Sequence, residues 1–129
     1  LGEQELGGAI LIGSPGAVWS WSQIRRCSPD AVPARARKIL AVDPAAKRKK
    51  DSDDSGIVLA AEHGGTCWIL GDYSGHHSPA EMRDIVQRIA IDNRCEVLVE
   101  DNQGGDYLRE VLGAGSRIEV RAVSAVKGK

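Results

Sequence analysis

The apolar positions of the chain form short runs separated by turn-forming residues, and three such runs come first. They occupy residues 38–44, 55–62 and 66–72, each with consecutive apolar side chains bounded by polar or charged ones. Runs of this length and character indicate buried strands. The pair Gly64-Gly65 between the second and third runs predicts a hairpin turn. We therefore expect an antiparallel meander of three strands.

The segment after the meander predicts an amphipathic helix. Ser78-Pro79-Ala80-Glu81 is a capping box with proline at the first helical position. The apolar residues that follow have the spacing of one helical stripe: Met82, Ile85, Val86, Ile89 and Ala90. We expect this helix to end near Asn93.

Two more strands and a second helix complete the pattern. The strands are expected at residues 96–100 and 118–123, and the helix at about 106–112, stopped by Gly113 and Gly115. The element order is then βββαβαβ, with parallel strands joined by helices after the meander. This order predicts an α/β protein with helices packed on a mixed sheet, the layout of ribonuclease H-like folds.

Residues 1–37 are less regular and rich in glycine and proline. We expect a linker arm there, with one or two helical turns around residues 20–27, and the ribonuclease H-like domain at 38–129. The chain has 129 residues, which suits one domain of this size.

Composition excludes several classes of function. Seventeen basic and eighteen acidic residues give a net charge of −1, which excludes a globally basic nucleic-acid-binding protein but leaves room for a local basic patch. With three Trp, two Tyr and no Phe, base stacking is not expected as a main device. No stretch approaches the ~20 apolar residues of a membrane span, so no membrane partner is expected. Three widely spaced cysteines favour reduced thiols over disulfides or a zinc site.

Two acidic residues stand at the ends of predicted strands. Asp43 follows Ile-Leu-Ala-Val and Glu100 follows Val-Leu-Val. Each carboxylate alone could cap a loop or meet a basic side chain. If the two strands are neighbours, however, the carboxylates converge at one sheet edge, where hard oxygen ligands suit Mg²⁺ or Mn²⁺. Two such ions can stabilise the attacking and leaving oxygens of a phosphodiester displacement.

Several motifs resemble those of a known family. They are Ala41-Val42-Asp43-Pro44-Ala45, the acid-rich loop at 51–58, the helix start Ser78-Pro79-Ala80-Glu81, and Val99-Glu100-Asp101-Asn102-Gln103-Gly104-Gly105-Asp106. Together they resemble the nuclease domain of tailed-phage terminase large subunits, over nearly the whole chain. The resemblance implies a metal-dependent endonuclease that cuts concatemeric double-stranded viral DNA during genome packaging. It also implies an ATPase domain, a small terminase subunit and a portal as partners, in the cytoplasm of an infected bacterium.

The resemblance also implies roles for residues. Asp43 would bridge two metal ions, with the second ion weakly bound, and Glu100 would be the second ligand. Asp54, or else Asp53, would be an accessory ligand. Asn102 and Gln103 would contact substrate or orient Glu100; simple turn chemistry before the helix is the alternative for both. For Asp106, a structural role at a helix start is favoured.

A basic run, Lys47-Arg48-Lys49-Lys50, follows the first acid closely. Four adjacent cations could bind DNA phosphates by counterion release. A solvated loop is the equally weighted alternative. His76-His77 precede the capping box, and a surface loop is favoured there over a metal site.

Two departures from the family pattern leave alternatives open. No G-x-x-x-x-G-K-[ST] motif occurs, so this chain is not the packaging motor by itself. The family's third acid lies beyond the last basic turn, and we expect the chain to stop before it. A shortened module that binds DNA but cleaves weakly or not at all is therefore the alternative function. An ATP-binding relative of the fold is a further alternative, with Gly64-Gly65 as a poor substitute for a phosphate-binding hairpin.

Overall fold

A five-stranded mixed sheet organises the chain in the computed structural model, which describes residues 18–44, 54–100 and 105–124, with the backbone alone at 105–107. The strands are β1 (Arg37–Asp43), β2 (Gly56–His63), β3 (Thr66–Asp72), β4 (Glu96–Glu100) and β5 (Val120–Val123). The helices are α1 (Pro79–Asn93) and α2 (Gly105–Gly113). The spatial order is β3-β2-β1-β4-β5. β1, β2 and β3 pair antiparallel, whereas β4 is parallel to both β1 and β5. The predicted βββαβαβ order and mixed sheet are confirmed.

The predicted hairpin turn joins β2 to β3. Gly64 and Gly65 have φ angles of 58° and 80°, and the flanking residues His63 and Thr66 are paired. Positive φ at both central positions is the requirement of a type I′ turn, which only glycine meets without steric cost. The sequence signal and the turn geometry therefore agree.

α1 begins and ends as its sequence predicts. The Ser78 hydroxyl accepts a hydrogen bond from the Glu81 backbone N–H at 3.2 Å, and the Glu81 carboxylate accepts one from the Ser78 N–H at 2.9 Å. The predicted apolar stripe is the side that packs inward, since Met82, Val86, Ile89 and Ala90 are buried. After Asn93 the chain turns at Arg94, whose φ of 51° is left-handed.

Two expectations about local structure were wrong in extent. β5 begins at Val120 rather than at 118, because the chain first turns after α2. In this turn Gly115 has a φ of 71°, and the Ser116 N–H donates a hydrogen bond to the Gly113 carbonyl at 3.1 Å. In the arm, the helical turns expected at 20–27 are reduced to one 3-10 turn, Trp21–Gln23. A second 3-10 turn, Pro29–Ala31, follows it.

Both helices pack on the same face of the sheet. Their inward side chains join one core cluster with strand residues Leu40, Val42, Ile57, Leu59, Val97 and Val99. Because side chains alternate along a strand, the neighbouring strand positions point to the opposite face. That face carries Ile39, Ala41, Val58, Ala60 and Leu98, all half-buried or exposed. No described helix covers it, and we call it the open face.

The chain divides into two compact units, Leu1–Ala31 and Val32–Lys129. The described part of the first holds the two 3-10 turns, and the second holds the whole sheet and both helices. Within the described residues, neither helix combines the length and the apolar character that crossing a lipid bilayer requires.

Candidate metal centre

The two acids singled out in the sequence lie on neighbouring parallel strands. β1 and β4 are paired up to Val42 and Val99, and Asp43 and Glu100 are the next residues on each strand. Their backbones are thus at the same level of the sheet, about 4.8 Å apart in the strand-to-strand direction. Residues in register on parallel strands point to the same face, so both carboxylates belong to the open face. The expected convergence of these strand ends is confirmed by the sheet topology.

The surroundings leave the Asp43 side chain accessible. Asp43 is exposed and Glu100 is half-buried between β1 and β5. On the other side, β2 places Gly56 directly opposite Asp43. A Cβ at Gly56 would lie 3.5 Å from the Asp43 Cβ, an ordinary van der Waals contact, so the glycine leaves somewhat more room beside the carboxylate than another residue would. Sequence reasoning missed this glycine, whose signal was its position at the start of a strand.

The donor set at this edge suits a hard divalent cation. Two carboxylates on adjacent strands supply oxygen ligands and leave coordination positions for water and a substrate phosphate, the usual arrangement for Mg²⁺. Within the described residues, no group of three or more His, Cys, Asp or Glu side chains is assembled for a metal. The described residues therefore bring two carboxylates together at this edge rather than a closed cage.

Asp54 lies close to this edge in sequence but has another neighbour. It precedes β2 by two residues, and its carboxylate is 4.0 Å from the His76 Nδ1. Both side chains are exposed, at 72% and 71%. The role of Asp54 as an accessory ligand stays a prediction.

The loop after β3 is fastened to the start of β2, next to the acidic edge. The Ser74 hydroxyl accepts a hydrogen bond from the Ile57 N–H at 3.0 Å. Ser55 and Gly75 exchange two backbone hydrogen bonds, at 2.9 and 3.0 Å. Hydrogen bonds from Ser74 to the Asp72 carboxylate lower the pKa of Asp72. This anchoring was not predicted, although Asp72-Tyr73-Ser74 has the spacing of a local Asx turn.

Several predicted site residues lie outside the described residues. They are the basic run Lys47, Arg48, Lys49 and Lys50, the alternative ligand Asp53, and the pair Asn102 and Gln103. For Asp106 only the backbone is described, in the first turn of α2. Their proposed roles stay predictions.

Comparisons with known proteins connect this chain to a family. Residues 40–129 match the family model described as the terminase RNaseH-like domain. None of the curated proteins compared matches the chain. Two solved structures from the Ppx/GppA family of Aquifex aeolicus superpose with a TM-score of 0.43 at 6% and 7% identity. They cover 69% of this chain, which in turn spans only 35% and 36% of theirs. The family model covers most of the chain, including both strand-end acids, and the chain belongs to the terminase RNaseH-like domain family.

Proposed function

We propose that the chain is a divalent-metal-dependent endodeoxyribonuclease domain that cuts concatemeric double-stranded DNA during viral genome packaging. The observation that carries the proposal is the placement of Asp43 and Glu100 at the same level of two adjacent parallel strands. Membership of the terminase RNaseH-like family supports a nuclease rather than another phosphate chemistry.

Asp43 and Glu100 would hold the metal, Mg²⁺ or Mn²⁺, with Asp54 as an accessory ligand. The metal would supply Lewis-acid stabilisation of the phosphodiester oxygens and lower the pKa of the attacking water. Asp43, being exposed beside Gly56, leaves a phosphodiester room to approach. Glu100, half-buried on β4 between β1 and β5, is the less exposed of the two carboxylates. A rigid strand-end carboxylate limits the reorganisation needed when substrate binds.

DNA contacts in this proposal come from charged and polar groups near the same edge. Lys47, Arg48, Lys49 and Lys50 would bind backbone phosphates, and Asn102 and Gln103 would contact the substrate next to Glu100. An ATPase domain, a small terminase subunit and a portal are the proposed partners, in the cytoplasm of the bacterial host.

Plasmid nicking tests the proposal. Supercoiled plasmid is incubated with the chain in Mn²⁺, in Mg²⁺ and in EDTA, and relaxed and linear products are measured. Asp43→Asn and Glu100→Gln keep size and shape but remove a ligand charge, so each should reduce nicking to the rate without protein. Asp84→Asn is the matched control, because Asp84 is an exposed α1 carboxylate beside Arg83 and should leave the rate unchanged. Full nicking by both ligand variants would refute the site.

The second candidate is a domain that binds duplex DNA without cutting it. The observation behind it is that β1 and β4 bring two carboxylates to this edge, whereas two-ion cleavage needs enough oxygen ligands to hold both ions. Duplex binding in EDTA together with no metal-stimulated nicking by the unaltered chain would select this candidate.

A further inference from the structure

A groove lies at the end of the sheet opposite to Asp43 and Glu100. It has a volume of about 380 Å³ and lies where β1 and β4 begin and α1 ends. Its lining residues that matter here are Arg37, Lys38, Arg94, Cys95 and Glu96. β1 has seven residues from Arg37 to Asp43, so the groove is about 20 Å from the acids at ~3.3 Å per residue step.

The groove is locally basic in a chain whose net charge is −1. Its wall carries the cations Arg37, Lys38 and Arg94 against a single carboxylate, Glu96. Within the described ranges, neither Lys38 nor Arg94 forms a salt bridge. These two cations of the groove thus form no ion pair with a described carboxylate, and a bound polyanion would neutralise them.

The single carboxylate holds arginines in place. Glu96 has a side chain only 16% exposed and pairs with the guanidinium of Arg37 on β1 and, at 3.4 Å, with that of Arg121 on β5. The arginine side chains themselves are 60% and 53% exposed. A guanidinium fixed at one edge by a partly buried carboxylate still presents free N–H groups to solvent, in a geometry suited to phosphate oxygens.

Arg94 adds an independent observation. It is the one residue other than glycine with positive φ in the described chain, at 51°. This position directly after a helix favours glycine, since a side chain there is strained. The Arg94 cation gains some stabilisation from the negative end of the α1 dipole. Its side chain also lines the groove. Strained positions of this kind point to a functional side chain.

We propose that this groove, formed by Arg37, Lys38 and Arg94, binds the sugar–phosphate backbone of duplex DNA as a second contact away from the cleavage site. The proposal rests on the proposed function, because it takes its ligand class from it. A separation of about 20 Å corresponds to roughly 6 base pairs at 3.4 Å per nucleotide along one strand. The second contact would therefore hold the duplex in register while the acids act on one phosphodiester.

The salt dependence of binding tests the groove directly. A fluorescent 30-base-pair duplex is titrated with the chain in EDTA, so that no cutting occurs, over a range of NaCl concentrations. Each phosphate contact contributes about 0.9 to the log–log slope, and its loss costs up to about 8-fold in affinity at 0.1 M salt. Lys38→Gln combined with Arg94→Gly should therefore lower the slope by about 1.8.

Arg94→Gly alone separates binding from folding. It removes the cation while relieving the left-handed backbone strain, so its thermal midpoint should stay close to that of the unaltered chain while the slope falls by about 0.9. Arg88→Gln is the matched control, because Arg88 is an exposed α1 arginine that does not line the groove. It should leave the slope unchanged.

The outcomes distinguish the two proposals. The second contact would be overturned if the groove variants bind with the same salt slope as the unaltered chain. It would also be overturned if the slope of the Arg88→Gln control falls as much as theirs. Either result leaves the nuclease proposal standing. Absence of duplex binding by the unaltered chain in EDTA would overturn the second contact, and metal-dependent plasmid nicking decides the nuclease proposal separately. Reduced slope in the groove variants with unchanged Arg88→Gln supports the inference, even if nicking fails.

Discussion

Replacing Leu40 or Leu70 by alanine removes the same atoms, in one case from the buried core and in the other from a partly exposed edge. Leu40 lies in the middle of β1 on the helix-covered face and is fully buried, with 0% exposure. Leu70 lies on the edge strand β3 and is 36% exposed. Because Leu40 is fully buried at the centre of the sheet and Leu70 is partly exposed at its edge, the two substitutions should differ strongly in their effect on the free energy of unfolding.

The magnitudes follow from burial. Leu40 belongs to the core cluster with α1, so its truncation loses transfer free energy and leaves a cavity, at a cost of about 3–4 kcal/mol. Leu70 loses only the transfer contribution of a partly exposed side chain on an edge that can relax, which is about 1 kcal/mol. The expected difference is therefore about 2–3 kcal/mol.

Urea unfolding followed by far-UV circular dichroism measures both costs. The m-value should be unchanged, so that the shift in midpoint reports stability. Should Leu40→Ala be unfolded without urea, Ile57→Val gives a smaller core deletion, expected to cost about 1 kcal/mol at a residue with 0% exposure. Equal costs for Leu40→Ala and Leu70→Ala would refute the placement of Leu40 in the core cluster.

Three further predictions test local features. Ser78→Ala removes the acceptor of the Glu81 N–H and should destabilise the domain by about 1 kcal/mol, measured by the same urea titration; no change would mean that the capping box is not formed in solution. Because hydrogen bonds from Ser74 lower the pKa of Asp72, their contribution to stability is present above the ordinary carboxyl pKa and is lost as pH falls through the lowered one. In Ser74→Ala, the Asp72 carboxyl pKa measured by NMR should rise; an unchanged value contradicts the assignment. Burial raises the pKa of the half-buried Cys95 thiol, so iodoacetamide at pH 8 should alkylate Cys95 more slowly than the exposed Cys67; mass spectrometry showing the reverse order would refute this.

Much of the fold could be predicted because local signals and tertiary structure agree. Ser78 and Glu81 cap α1 as their spacing requires, and Gly64-Gly65 form a turn that other residues could not adopt without strain. The prediction for β5 was too long. Alternation of apolar and polar residues at 118–123 indicates which side chains pack near the core, but it does not show where the backbone pairing with β4 starts. Ile118 packs against the core outside the strand.

The candidate site was only partly predictable. The strand-end positions of Asp43 and Glu100 could be inferred, because strand ends are marked by where apolar runs stop. The neighbours of Asp54 and the anchoring of Ser74 could not be inferred from the sequence, since both depend on how the loop after β3 returns to β2. The basic groove was missed for the same reason: Arg37, Lys38 and Arg94 are brought together only by the pairing of β1 with β4 and the end of α1.

Anomalous diffraction from Mn²⁺-soaked crystals shows directly whether Asp43 and Glu100 hold a metal ion together. A manganese peak is expected at bonding distance from carboxylate oxygens of both Asp43 and Glu100. It should be lost in Asp43→Asn and in Glu100→Gln crystals and retained in Asp84→Asn crystals. The comparison requires a chain that nicks plasmid under the same metal conditions. If its crystals show no peak between the ends of β1 and β4 at saturating Mn²⁺, the shared metal site is contradicted.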